Sequence, residues 1–355
     1  MKKALIIYHK EDNDGVFSAA LLYHHLLVNL KYDEQDIELF GTEYNELNQF
    51  AKENTVQSLF ETFENIMMTD VSFNDANYMK SLYKVYGNKF YWFDHHAPII
   101  KESFTKHFYD IEGIRDSGRS AILCVWKYLY DPFDEKYNER KVPELLRILS
   151  AYDSWTQKEN GYEMQYARQI NKAVTFEYDL KMENILPLIK DIVKVYVDNK
   201  PSKFSLVYKD SPLIKELEKT GKMLCEYEDK IYADIIKYTG DKSWHILLDE
   251  TFNGQPCYRT ACVIFHQGQT SSQMFASLKE TDPEIMNGVV FKHTTNGNWN
   301  ISMYNLRDCD EVDWPGRFHC GLFMRKKYKG GGHVGAAGCT ITQEQFIKIL
   351  KKKEL

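Results

Sequence analysis

Ala4-Leu5-Ile6-Ile7-Tyr8-His9-Lys10-Glu11-Asp12-Asn13-Asp14-Gly15 is the stretch from which the fold can be read. Its first five residues are a short, unbroken apolar run. Such a run, bounded at once by polar residues and a glycine, reads as a strand buried on both faces of a parallel sheet. A helical pattern follows from Val16 to Val28, and the same order then recurs. Ile37–Phe40, Ile66–Thr69 and Phe90–Phe93 read as further strands, with helical segments such as Ala76–Tyr86 between them. Strands alternating with helices predict an α/β layer fold with a mainly parallel sheet. Helical patterns at Ser120–Tyr130 and Pro143–Tyr152 extend the same domain.

At 355 residues the chain is too long for one ordinary core. The expected division is a catalytic domain over 1–187, a helical connector over 188–240 and a smaller α/β domain over 241–355. The connector is suggested by one apolar stripe through Leu213, Leu217, Leu224, Tyr227, Ile231 and Ile235. In the last domain the strand candidates are His245–Leu248, Tyr258–Phe265, Gly288–Lys292 and Trp299–Tyr304. Helices are expected near Ser271–Lys279 and Cys320–Tyr328.

The candidate chemistry sits where these elements end. His9, Glu11, Asp12 and Asp14 follow the first strand; Asp70 ends the third; Asp94-His95-His96 ends the fourth; Asp153 follows the helix at Pro143–Tyr152. In an open parallel sheet the carboxyl ends of the strands share one edge, and ligands bind there. Each point alone has a plain structural reading, an Asp after a strand being a common helix N-cap and Asp-Gly a turn signal. Three clusters at strand ends, with Asp153 as a fourth point, argue for a shared site. Imidazole with several carboxylates and no thiolate suits manganese or magnesium. His9, Asp12, Asp14, Asp70, His95 and Asp153 are too many ligands for one ion and enough for two. The pair His24-His25, inside a helical pattern, reads as structural.

A second constellation lies near the C-terminus. Gly330-Gly331-Gly332-His333-Val334-Gly335-Ala336-Ala337-Gly338 follows the basic run Arg325-Lys326-Lys327. Successive glycines let backbone N–H groups form a nest around an anion, and a histidine among them can donate to a phosphate oxygen.

Bulk composition narrows the partners. The net charge is −6 and the isoelectric point about 6.0, which disfavours a broad phosphate-neutralising face for long nucleic acid. Seven cysteines without a C-x-x-C pair suggest neither a disulfide framework nor a thiolate zinc site. No apolar run approaches a membrane span, and a soluble, cytoplasmic chain is expected. The lysine-rich tail, Lys348–Lys353, reads as a solvated helix end.

Together these residues resemble the DHH phosphoesterase superfamily, named for the tripeptide that stands here as Asp94-His95-His96. GGGHVGAAG is similar to the GGGH signature of the DHH-associated C-terminal domain, about 235 residues further on. Asp116-Ser117-Gly118-Arg119-Ser120 resembles the family's loop after the DHH tripeptide. The resemblance covers essentially the whole chain. It implies a catalytic domain, a connector and a substrate-binding domain facing each other across a cleft, as in nanoRNases, pAp phosphatases, cyclic dinucleotide phosphodiesterases and RecJ-type exonucleases. It further implies two divalent ions, typically manganese. His9, Asp12 and Asp70 would hold one. Asp14, Asp70, His95 and Asp153 would hold the other, with Asp70 bridging. His96 would contact the scissile phosphate or support the site rather than bind metal; Gly330, Gly331, Gly332 and His333 would hold a phosphate or nucleotide, and Arg119 is expected to help stabilise the phosphate's charge. The family spaces its first motif as H-x-D-x-D or H-x-x-x-D-x-D, whereas this chain reads H-x-x-D-x-D, so Glu11 competes with Asp12 for the first ion. Asp12 keeps the D-x-D-G register.

The expectation is a two-metal hydrolase of short nucleotides: short oligonucleotides, dinucleotides or pAp. A RecJ-like single-strand exonuclease and a non-catalytic nucleotide-binding protein are the alternatives. A homodimer is compatible with either, and no membrane is involved.

Overall fold

The computed structural model describes residues 3–52, 60–73, 75–96, 100, 111–130, 142–199, 211–239, 251–252, 255–256, 260–265, 272–276, 287–306, 320–332 and 334–351. They form two compact units, Met1–Cys225 and Glu226–Leu355.

The first unit is built on strands β1 (Ala4–His9), β2 (Ile37–Thr42), β3 (Asn65–Thr69) and β4 (Phe90–Phe93). Their order in the sheet is β2-β1-β3-β4 and every pairing is parallel. Because side chains alternate along a strand, β1 feeds two cores at once. Ala4 and Ile6 enter one apolar cluster, Leu5 and Ile7 the other, and none of the four is more than 1% exposed. An unbroken apolar run is what a strand covered on both faces requires.

Helices supply the covers. On one face lie α1 (Asn13–Val28), α4 (Ala121–Tyr130), α5 (Glu144–Asp153), α6 (Met164–Tyr178) and α7 (Met182–Asn199), contributing Phe17, Trp126, Leu149, Ile170 and Ile189 among others. On the other face α2 (Tyr44–Lys52) and α3 (Ala76–Tyr86) contribute Leu47, Met79 and Leu82. Helix α8 (Pro212–Thr239) runs through the boundary between the units. At Gly221 it presses on α6, where an added Cβ would sit 1.9 Å from the Gln169 carbonyl oxygen.

The second unit has a short hairpin, β5 (Thr251–Phe252) with β6 (Gln255–Pro256). Its main sheet comprises β7 (Thr260–Phe265), β8 (Asn287–His293), β9 (Trp299–Asn305), β10 (Gly331–Gly332) and β11 (Ala336–Ile341), ordered β10-β11-β9-β8-β7. Only β7 and β8 pair in parallel. Helices α9 (Cys320–Tyr328) and α10 (Gln343–Lys351) give Phe323, Met324 and Phe346 to its core. The strand expected at His245–Leu248 lies outside the described residues; of the helix expected at Ser271–Lys279, residues 272–275 form a 3-10 turn.

The fold is therefore α/β, with a parallel-sheet unit and a smaller mixed unit. No disulfide joins the described cysteines Cys124, Cys225, Cys320 and Cys339. No described helix is long and apolar enough to cross a membrane.

Candidate metal centre

Four element ends converge on one edge of the parallel sheet. β1 ends at His9, and Asp12 caps α1 by accepting from the Gly15 amide at 2.9 Å. The helix thus starts at Asn13, three residues before the apolar pattern does, so Asp14 lies in its first turn. Gly15 lets that turn approach the strand: a Cβ there would lie 2.0 Å from the His9 carbonyl oxygen. The same tight turn brings His9 Nδ1 to 2.8 Å from Asp12 Oδ2.

Asp14 is buried and serves two purposes. Its two carboxylate oxygens accept from the amides of Ala121 and Ile122, at 2.7 and 2.8 Å, at the start of α4. One of them also lies 3.6 Å from His95 Nε2. Asp70 follows β3 with φ of 55°, a left-handed conformation that costs a non-glycine residue about 1–2 kcal/mol. Its backbone is held from both sides, the amide donating to the Phe93 carbonyl at 3.0 Å and the carbonyl accepting from the Tyr44 hydroxyl at 3.2 Å. Oδ2 of Asp70 is 3.6 Å from His9 Nδ1, and Oδ1 is 3.2 Å from His95 Nε2. Asp153, the last residue of α5, reaches the same His95 nitrogen at 3.2 Å.

Among the described residues, three groups can present ligand atoms all within 4.8 Å of one another: His9, Asp12 and Asp70; Asp14, His95 and Asp153; and Asp70, His95 and His96. Asp70 joins the first group to His95. The donor set fits a divalent cation on two further observations. Among the described residues, no hydrogen bond of good geometry reaches the buried oxygens Asp70 Oδ1 and Asp153 Oδ2, although His95 Nε2 lies 3.2 Å from each. The carboxylates also crowd each other: burial, then the neighbouring Asp12 and Asp14, raise the Asp70 pKa well above its usual value. Burial and Asp14 do the same to Asp153. Like charges packed this closely call for positive charge between them. His9 supplies some of it. Burial opposes its protonation, yet Asp12 and Asp70 outweigh that and push its pKa up to about 11.

Asp94 stands apart from these groups. Buried at the end of β4, it accepts from Trp92 Nε1 (3.1 Å), the amides of His95 and His96 (2.7 and 3.1 Å) and His96 Nδ1 (2.7 Å). Burial would raise its pKa, but the charges and donors of His96 and His95 lower it to about 2. Its carboxylate thus holds the backbone of both histidines and the ring of His96. Arg119 pairs with Asp116 in the loop before α4.

Tyr44 is a residue of the site to which no sequence motif pointed. Its hydroxyl lies 2.9 and 3.2 Å from the two ring nitrogens of His96, and its ring meets those of His96 and His9 at centroid distances of 5.3 and 5.6 Å. It opens α2 directly after β2, at the one strand end from which no functional residue was drawn. The strand-end rule that found the others points there too.

In the second unit, Gly331 and Gly332 form an edge strand rather than a free loop. An added Cβ at Gly330 would fall 2.2 Å from the Gly338 carbonyl oxygen. At Gly332, whose φ is 137°, it would fall 2.5 Å from that of Ala336. At Gly331 it would meet nothing. Close strand approach therefore accounts for two of the three glycines. His333 lies outside the described residues.

No protein-family model matches the chain, and no curated protein matches it. Among solved structures it is similar to a pGpG-specific phosphodiesterase, PggH of Vibrio cholerae, with 14% identity over 99% of this chain and 97% of that one, at a TM-score of 0.45. An exonuclease RecJ bound to manganese is 12% identical over 99% and 89%, at 0.42. An uncharacterised protein of Helicobacter pylori G27 is 15% identical over 99% and 100%, at 0.35. With TM-scores of this size, none of the three bears on what this chain binds. In its motifs, their order and the side chains gathered at the sheet edge, the chain resembles the DHH phosphoesterases.

Proposed function

We propose that the chain is a divalent-metal-dependent phosphoesterase of the DHH type, acting on short nucleotides. The observation that carries this reading is Asp70. It is buried, held in a strained backbone conformation, and placed so that one carboxylate oxygen faces His9 while the other faces His95. Strain of this kind persists only where the surroundings enforce it, and a bridging ligand is a sufficient reason.

His9, Asp12 and Asp70 would hold one cation; Asp14, Asp70, His95 and Asp153 the other. When bound, two such ions supply charge to phosphoryl oxygens and acidify an attacking water. The chain's own groups do the rest. Asp94 holds the His95 amide and the His96 ring, and the Tyr44 hydroxyl also lies against the His96 ring. His96 would donate a proton or hydrogen bond to a phosphoryl oxygen. Arg119 and the segment Gly330, Gly331, Gly332 and His333 are assigned to the substrate's phosphates on the strength of the family resemblance. Manganese is the favoured ion and short substrates are favoured over long strands by the acidic balance.

The test is a manganese-supplemented hydrolysis screen of pAp, linear and cyclic dinucleotides and a long single strand. Turnover of a short substrate, lost in Asp70→Ala and His95→Ala, is expected. Undiminished turnover in both variants would refute the assignment.

A further inference from the structure

Helix α5 ends in a turn whose geometry asks for glycine, and the chain places a tryptophan there. Asp153 is its last residue, the Ser154 amide bonds the Ser150 carbonyl at 2.9 Å, and the Thr156 amide reaches back to the Ala151 carbonyl at 3.0 Å. That six-to-one bond is the mark of a Schellman turn, whose residue after the cap is left-handed and usually glycine. Here it is Trp155, with φ of 59°.

The ring is only partly buried. Trp155 is 40% exposed, whereas Trp92 and Trp126 are 0% and 1% exposed. The backbone around it is clamped instead. Ser154 Oγ donates to the Ser150 carbonyl (2.8 Å) and bonds Thr156 Oγ1 (2.9 Å). Asn160 Nδ2 donates to the Thr156 carbonyl (3.0 Å), and Gln157, 4% exposed, donates to the Tyr152 carbonyl at 3.3 Å. A rigid turn thus carries a partly exposed indole two residues from Asp153. Two residues separate α-carbons by at most about 7.6 Å.

We propose that Trp155 is a stacking platform for a nucleobase of the substrate, so that the site selects phosphoesters carrying an aromatic base over bare phosphate chains. The inference rests on the metal-centre reading above and adds to it the residue that would take the base. A flat, partly exposed indole on a fixed backbone loses little entropy on stacking, and every base offers a π-face, so recognition would be tolerant of sequence.

Trp155→Gly separates this role from a structural one, because glycine suits the left-handed turn. The variant should unfold at the same or a higher temperature than the wild type. Its kcat/KM on a linear dinucleotide should fall about tenfold or more, chiefly through KM. Trp155→Phe should recover much of the loss. A dinucleotide abasic at its terminal residue should be cleaved equally by wild type and Trp155→Gly. In the metal-loaded protein, GMP should quench tryptophan fluorescence in the wild type and not in Trp155→Gly. Cleavage of the intact dinucleotide by Trp155→Gly at the wild-type KM would overturn the stacking role, while a dead Asp70→Ala would leave the metal centre standing. If the wild type cleaves no phosphoester, the proposed activity fails, and the quenching comparison alone decides for or against stacking.

Discussion

The rim of the parallel sheet and the glycine edge of the second sheet use side chains in opposite ways. At the rim, side chains from β1, α1, β3, β4 and α5 are concentrated until their charges oppose one another. At the edge, side chains are removed so that backbones can meet: Gly330 and Gly332 each leave room that a methyl group would close. The first region gives up stability to crowd carboxylates together. The second gives up side chains for packing, and only Gly331 is left with open space before it.

The largest effect expected from breaking this contrast is at Asp70. Asp70→Ala removes the shared ligand and should lower kcat about a thousandfold or more. It should also relieve like-charge crowding, so the metal-free protein should unfold no more easily than the wild type. Asp14→Asn tests the residue that does two things. An amide nitrogen cannot accept, so one of the α4 amides at Ala121 or Ile122 loses its partner. Such a buried loss costs about 1–3 kcal/mol, measurable by denaturant unfolding, together with weaker manganese binding.

At the glycine edge, Gly332→Ala meets both a φ of 137° and a Cβ contact of 2.5 Å. It should destabilise the protein by about 1–3 kcal/mol. Gly331→Ala, facing open space, should stay within about 0.5 kcal/mol of wild type in the same unfolding measurement. A loss at Gly331 equal to that at Gly332 would mean that strand approach does not explain the glycines. The smallest effect on turnover is expected at Tyr44. Tyr44→Phe removes one hydroxyl from His96 and from the Asp70 carbonyl, and should slow hydrolysis about five- to tenfold with the fold intact.

Much of the rim is legible in the sequence because its physics is written locally. Ala4–Ile7 and Ile66–Met68 are continuous apolar runs, and the residues just beyond each strand share one edge by topology alone. The unusual spacing from His9 to Asp14 also has a resolution in space. Asp12 caps the helix and meets His9, and this supports Asp12 over Glu11 as the candidate ligand. The start of α1 is less legible: Asp12-Asn13-Asp14-Gly15 reads as a turn, and only the approach of Gly15 to the His9 carbonyl explains a helix there. Tyr44 escapes because a lone tyrosine after Gly41-Thr42-Glu43 belongs to no motif; its meaning comes from His96 and Asp70, 52 and 26 residues away. The glycine run reads as a nest, but strand pairing is a long-range property. The partner residues Ala337 and Gly338 become neighbours only once the sheet forms.

The most direct measurement is the number of manganese ions bound per chain, counted by equilibrium titration with electron paramagnetic resonance. The account predicts two for the wild type, one each for His9→Ala and His95→Ala, and spin coupling between the ions in the wild type alone. A single uncoupled ion in the wild type, or two ions retained in both variants, would contradict it.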